Sequence, residues 1–380
     1  MTISFFKKII KKALSYDKSN FGGFFSFLSR EFPNFSFNDR NYFQLNNDQK
    51  DWRNLYRGPI MGLAIMLTHK CNLECSYCLR NTFETKENPE IDFKTIQKII
   101  FSANRFGCRE CGITGGEPLL YPKLKDVINL LGDLGWFVGI ETNGRILNSD
   151  NCLFFKERIG DKLMMSVSLD SFCRESHDSF RGKGSFDSAI NAIKLIKARG
   201  IKLEVNAILT PKNFMTEKEL LEFMNFNKSL GVDFVRIGRI IPFGRGYDKK
   251  FLLTKNQVVE FGNILKKYNF LNPILQGGAF FQYKKSKNKN NGWCPKKMKQ
   301  ICVSPAGVHH CIFLEGIKSG ELEEFESVVL NERMKNFMIF VQGIIAESYL
   351  KRNLPFYCSE CVYEFSKLFP FFKEFTKYIK

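Results

Sequence analysis

From residue 62 onward, short apolar runs alternate with amphipathic stretches, a pattern that predicts strands separated by helices. Strands are predicted at 63–67, 112–114, 137–142, 164–169, 203–208 and 234–237. Apolar positions recurring with helical period predict helices near 93–106, 124–134, 186–198, 217–230 and 255–268. Helices placed between strands imply parallel pairing, and a series of such units curls toward a barrel. Six strands are too few to close the usual eight-stranded barrel. The predicted fold class is therefore α/β, an open partial (β/α)6 barrel with a lateral mouth.

The flanks read differently. In residues 5–16, Phe5, Phe6, Ile9, Ile10 and Ala13 share one helical face, and Lys7, Lys8, Lys11 and Lys12 share the other. Such a helix can make peripheral contact with an anionic membrane, at its inner cytoplasmic face, or can cap the domain that follows. The aromatic, asparagine-rich stretch up to residue 58 carries no readable motif. The polar run at 284–292 reads as a loop that separates the barrel from a cysteine-bearing tail. These signals divide the chain into an extension (1–61), a barrel (62–275) and a small C-terminal domain (276–380).

The 380 residues carry 57 Lys+Arg against 39 Asp+Glu, a formal charge of +18. That excess admits nucleic acid, an anionic membrane or an acidic substrate as partner. The lysines are scattered rather than gathered on one element, which argues against nucleic acid. Twelve cysteines with no secretory signal read at the N-terminus favour metal over disulfides and a reducing cytoplasm. No apolar run approaches the ~18 residues of a membrane span.

Candidate chemistry begins in Leu67-Thr68-His69-Lys70-Cys71-Asn72-Leu73-Glu74-Cys75-Ser76-Tyr77-Cys78, directly after a predicted strand. Three thiols on one short loop can hold three irons of a 4Fe–4S cube and leave the fourth open to a small molecule. Structural zinc is the competing reading, with His69 available as a fourth ligand. The spacing of Cys71, Cys75 and Cys78 resembles the cluster loop of the radical S-adenosylmethionine (radical SAM) superfamily, and three further segments match in order. Gly115-Gly116-Glu117-Pro118 resembles the motif that holds the methionine amino group. Ser166-Val167-Ser168-Leu169-Asp170 resembles the strand that meets the ribose, and Val205-Asn206-Ala207-Ile208 the strand that packs on the adenine.

The resemblance implies that the open iron chelates S-adenosylmethionine. One electron then cleaves its sulfonium to a 5′-deoxyadenosyl radical, which abstracts hydrogen from an unactivated carbon. It further implies cofactor contacts at Tyr77, Gly115, Gly116, Glu117, Ser168, Asp170, Asn206 and Ile208. Arg181 would meet the cofactor carboxylate, an exposed surface arginine being the plain alternative. Gly115 and Gly116 would let backbone approach the methionine moiety. A flavodoxin- or ferredoxin-like protein would donate the electron.

In the tail, Ile301-Cys302-Val303-Ser304-Pro305-Ala306-Gly307-Val308-His309-His310-Cys311 resembles the hairpin that opens a SPASM-type domain. With Cys358-Ser359-Glu360-Cys361 it resembles the shortened twitch version. That resemblance assigns Cys294, Cys311, Cys358 and Cys361 to an auxiliary 4Fe–4S cluster and leaves Cys302 as a buried small hydrophobe. Zinc competes here as well. Cys108, Cys111, Cys152 and Cys173 are assigned to the core or its margin.

An auxiliary cluster is a ready electron acceptor, which favours oxidation of the substrate. The sulfatase-maturing relatives place an acidic base after the hairpin cysteine, where this chain has Ile312. The substrate class stays open between a carbohydrate-like small molecule and a peptide. The first sixty residues show no winged-helix-type recognition domain, which mildly disfavours ribosomal peptides. A redox-neutral epimerase or a peptide-crosslinking enzyme is the alternative within the superfamily. A zinc-stabilised protein that binds nucleic acid or membrane is the alternative outside it.

Overall fold

The structure, a computed structural model, describes residues 62–78, 89–213, 216–240, 245, 248–269, 275–276, 300–309 and 320–330. The helix expected at 5–16 and the thiols Cys294, Cys311, Cys358 and Cys361 lie outside the described residues.

Strand β1 (Gly62–Met66) starts a βα series. It continues through α1 (Phe93–Arg105), β2 (Glu110–Thr114), α2 (Leu124–Asp133), β3 (Phe137–Thr142), α3 (Ser149–Ile159) and β4 (Leu163–Ser168). Two helices follow, α4 (Arg174–Arg181) and α5 (Ser185–Ala198), then β5 (Lys202–Leu209), α6 (Glu217–Ser229), β6 (Phe234–Arg239) and α7 (Lys255–Asn269). Strands β7 (Leu275–Gln276), β8 (Gln300–Ser304) and β9 (Gly307–His309) and helix α8 (Phe325–Leu330) complete the described elements.

Local signals explain the helix starts. The Asp92 carboxylate accepts from the Thr95 amide ahead of α1, and Asn148 accepts from Asn151 ahead of α3. Thr216 and Glu219 form a reciprocal capping box at α6.

The sheet runs β7-β6-β5-β4-β3-β2-β1-β8-β9 and is parallel except for the β8–β9 hairpin. Consecutive helices pack beside one another on one face, as right-handed crossovers require. Side chains alternate accordingly. Ile65, Ile113, Ile140, Met165, Val205 and Val235 face the helices and are buried within 0% exposure. Full burial of such a side chain contributes about 1.5–3 kcal/mol, so this one-sided layer holds the barrel wall together.

The six predicted strands and five predicted helices are all present within a residue or two, and the α/β partial barrel stands. The tail is more closely joined to the barrel than the predicted division suggests. Strand β8 pairs in parallel with β1, Ala64 lying opposite Cys302, so this hairpin extends the barrel sheet at its β1 edge. Helix α8 returns to α1, where the Ser102 hydroxyl donates to Glu326 over 2.7 Å. Cys302 is buried in β8, Cys108, Cys111 and Cys152 are buried in the core, and Cys173 is exposed. Among the described residues no helix is long and apolar enough to cross a membrane.

Candidate active site

The three-cysteine loop leaves β1 at its C-terminal end, where β2 delivers Gly115-Gly116-Glu117 beside it. The Gly116 amide donates to the Thr68 carbonyl at 2.8 Å, and the Glu117 amide to the Lys70 carbonyl at 2.7 Å. A Cβ on Gly116 would lie 2.1 Å from the Lys70 carbonyl oxygen; one on Gly115, at φ +144°, would lie 2.5 Å from that of Thr68. Both positions therefore demand glycine before any cofactor is considered, because two backbones meet there. The docking of the cysteine loop is thus a reason for glycine separate from the methionine moiety that the resemblance implies.

Glu117 is fully buried. Its carboxylate accepts from the Thr142 hydroxyl and the Asn143 amide, each at 2.8 Å, and from the Leu119 amide at 3.2 Å. Burial raises its pKa to about 7 against the lowering effect of these donors. Glu117 thus ties the ends of β2 and β3 together.

Cys71, Cys75 and Cys78 are free thiols on the exposed or partly exposed rim of this assembly. Packing around the Cys71 sulfur raises its pKa to about 11, with the Leu73 amide opposing and Cys75, Glu117 and Cys78 adding to the rise. Burial raises Cys75 also, and the Arg181 guanidinium opposes it. The three sulfurs therefore sense one another and one nearby cation. Asn143, which sequence reasoning missed, directs its amide nitrogen to Asn72 at 2.7 Å and lies 3.9 Å from the Cys71 sulfur. Its signal was a polar residue directly beyond a strand's C-terminal end.

Tyr77, between the last two cysteines, points inward. Its hydroxyl donates to Asp170, and its ring packs on Phe180 at 5.7 Å and Phe251 at 6.4 Å. Asp170 is wholly buried and also accepts from Arg181 Nε at 2.6 Å, from a terminal Arg181 nitrogen at 3.2 Å and from the Ile208 amide at 2.9 Å. Burial pushes the Asp170 carboxyl up, but Arg181, His177 and the Tyr77 hydroxyl overcome it and hold it below its ordinary value. Its backbone is fixed too: the amide donates to His177 Nδ1 at 3.1 Å, and the carbonyl accepts from Asn213 at 3.2 Å. The Arg181 side chain is 9% exposed, so the plain alternative of a surface arginine is corrected: Asp170 draws it into the protein. The roles of His177, one turn before Arg181, and of Asn213 were not foreseen, because their partner Asp170 lies on another element.

Ser168 and Asn206 are register partners, half-buried on the face opposite the helices. One layer nearer the strand starts, Thr114 donates to Glu141 at 3.1 Å, Ser166 to Glu204 at 3.1 Å, and Arg236 to Glu141 at 2.9 Å. The inner face is thus polar where the outer face is apolar.

Among the described residues no three His, Cys, Asp or Glu side chains converge tightly enough for a single metal ion. A cube spreads its thiolates around separate corners, and three free thiols on one loop, bordered by donors from Asn143 and the positive charge of Arg181, suit such an anionic group.

The comparisons with known proteins agree with this arrangement. Residues 65–226 match the Radical SAM superfamily. They form a radical SAM domain. The chain is 28% identical over 315 residues to the antilisterial bacteriocin subtilosin biosynthesis protein AlbA of Bacillus subtilis, covering 78% of this chain and 65% of that one. It is 30% identical over 190 residues to a probable GTP 3',8-cyclase of Saccharolobus islandicus, covering 50% and 59%. The chain therefore spans less than two thirds of these relatives. Among solved structures, Streptococcus suis SuiB bound to precursor peptide SuiA aligns with TM-score 0.58 at 15% identity, over 70% of this chain and 64% of that one. Native anSMEcpe with bound AdoMet aligns with TM-score 0.58 at 18% identity, over 74% and 83%. At these identities the likeness is one of fold. The radical SAM domain brings Cys71, Cys75, Cys78, Tyr77, Gly115, Gly116 and Glu117 together with Ser168, Asp170, Arg181, Asn206 and Ile208 at one end of the sheet.

Proposed function

We propose that the chain is a radical SAM enzyme that binds a 4Fe–4S cluster through Cys71, Cys75 and Cys78, cleaves S-adenosylmethionine reductively and acts on a peptide. The observation that carries the reading is the docking of the three-thiol loop against Gly115-Gly116 at the C-terminal end of a parallel partial barrel. When bound, the cluster and S-adenosylmethionine supply one-electron chemistry and a radical able to take hydrogen from carbon. The chain's own residues do the positioning. Gly116 and Glu117 donate their backbone amides to the cysteine loop, Asp170 and Arg181 fix Tyr77 within it, and Ser168, Asn206 and Ile208 offer hydrogen-bonding and apolar contacts on the inner face.

Peptide is favoured over carbohydrate because AlbA serves bacteriocin biosynthesis and SuiB is captured with a precursor peptide. Cys294, Cys311, Cys358 and Cys361 are assigned to an auxiliary cluster that accepts an electron from the substrate radical, with a flavodoxin- or ferredoxin-like donor for the first cluster. In support, β8 and β9 form the antiparallel hairpin that the resemblance to a SPASM-type opening implies.

The test is anaerobic reconstitution of the full chain with iron and sulfide. About eight irons per chain and release of 5′-deoxyadenosine on reduction with S-adenosylmethionine support two cubes and the proposed activity. Zinc without sulfide, or no cleavage of the cofactor, overturns it.

A further inference from the structure

Asn143, just beyond the C-terminal end of β3, is held at three atoms. Its backbone amide donates to Glu117 Oε2 at 2.8 Å, and its side-chain Oδ1 accepts from the Arg145 amide at 2.9 Å. The second bond decides which way the side chain faces: the end that accepts from a backbone N–H is oxygen, so the other end is the NH2 donor. That donor meets Asn72 Oδ1 at 2.7 Å and lies 3.9 Å from the Cys71 sulfur. Glu117 is in turn fixed by Thr142 and Leu119, so the donor is carried on a buried frame.

Asn72 is oriented by the same logic. Its Oδ1 accepts from Asn143, so its Nδ2 is the opposite end, one residue after Cys71 on the loop. That nitrogen is buried, and among the described residues it has no partner. A buried N–H without an acceptor is costly, so it fits a site that brings one. The sulfurs of an iron–sulfur cube are such acceptors, whereas a zinc ion brings none of its own.

Reduction adds one electron to the cube, drawn from the flavodoxin- or ferredoxin-like donor proposed above, and makes the group more negative. An N–H group facing its sulfurs stabilises the reduced state more than the oxidised one and raises the reduction potential. The two amides stand in series, so the first polarises the second. We propose that Asn143 and Asn72 form an amide relay that donates to the sulfurs of the first cluster, Cys71 among them, and eases its one-electron reduction. Asn143 is a positioning residue for Asn72 and brings in an element outside the cysteine loop. The relay rests on the cluster assignment above and adds what sets the readiness of that cluster to take its electron.

The test is the midpoint potential of the reconstituted full chain, followed by electron paramagnetic resonance without S-adenosylmethionine, so that no turnover is involved. Asn143→Ser keeps an oxygen for the Arg145 amide but is too short to reach Asn72, and Asn72→Ala removes the second amide. Each is expected to make reduction about tenfold less favourable, a midpoint about 59 mV more negative. The double variant should shift by less than the sum of the two, because the amides act in series. Thr68→Val loosens the same loop at its contacts with Glu90 and the Lys70 amide, so it should lower the melting temperature and leave the midpoint in place. Unchanged midpoints in the single variants at full iron and sulfide content overturn the relay and leave the cluster assignment standing. Shifts that simply add, an equal shift in Thr68→Val, or loss of the cluster from both single variants also overturn it. A parent chain that assembles no cluster overturns the relay and the assignment together.

Discussion

Arg181 grips Asp170 with two nitrogens, Nε 2.6 Å from one carboxylate oxygen and a terminal nitrogen 3.2 Å from the other. The same carboxylate receives the Tyr77 hydroxyl from the cysteine loop and the Ile208 amide from β5. Four donors on one buried carboxylate connect the loop, α4 and two strand ends. Asp170→Asn keeps the shape but leaves the guanidinium without its charge partner, a change that costs about 3–5 kcal/mol in buried pairs. The urea midpoint should fall accordingly. Tyr77→Phe removes a single donor and should cost about 1–2 kcal/mol, with iron retention after gel filtration lower than in the parent chain.

Glycine requirements can be separated by contrast. Gly116→Ala forces a Cβ to within 2.1 Å of the Lys70 carbonyl oxygen, a backbone atom that cannot rotate away. A loss of about 1–3 kcal/mol and reduced iron and sulfide uptake are expected. Gly112→Ala meets nothing within 4 Å and should be neutral or stabilising by up to ~1 kcal/mol, since alanine narrows the unfolded ensemble. Thermal melts of the two variants against the parent check the pair; equal losses would mean that the loop does not dock as described.

Much of this was legible in the residues. The outer face of every barrel strand announces itself by alternation, and the spacing of Cys71, Cys75 and Cys78 drew attention to the loop that docks against Gly116 and Glu117. Helices α3 and α4 were not predicted: α3 lacks a sustained apolar stripe, and its start is marked only by Asn148; α4 is eight residues long and charged. Nor could spacing show that Asp170, Arg181 and Tyr77 are mutual partners. They are 93 and 11 residues apart along the chain, and only the return of β4 beside the first loop brings them together. Glu141, Glu204 and Arg236 escaped notice for the same reason, since they lie on three different strands that only the folded sheet brings together.

The thiols assigned to the proposed auxiliary cluster give a prediction that separates two kinds of failure. Cys75→Ala should abolish reductive cleavage of S-adenosylmethionine, because the proposed first cluster would lose a ligand. Cys358→Ala should retain uncoupled cleavage yet yield no modified peptide. Measuring 5′-deoxyadenosine and product mass in parallel decides it, and full turnover by Cys358→Ala would remove any obligatory role for the tail cluster.

Two buried groups set opposing pH dependences. His177 accepts a hydrogen bond at Nδ1, and burial lowers its pKa from 6.5 to about 4, so the native state refuses a proton that the unfolded chain takes. Its contribution is therefore present above about pH 6.5 and lost as the pH falls toward 4. Glu117 behaves in the opposite sense. Burial raises it from 4.5 to about 7, so the native state holds a proton longer than the unfolded chain. That contribution is present below about pH 4.5 and lost as the pH rises toward 7. Each shift corresponds to roughly 3 kcal/mol, so the metal-free parent should show a nearly flat stability between pH 4.5 and 6.5. Glu117→Gln should expose a stability that rises with pH across this window, and His177→Asn one that falls. Urea denaturation at half-unit pH steps reads both slopes, and slopes of the same sign would show that one of the two groups is not buried as described.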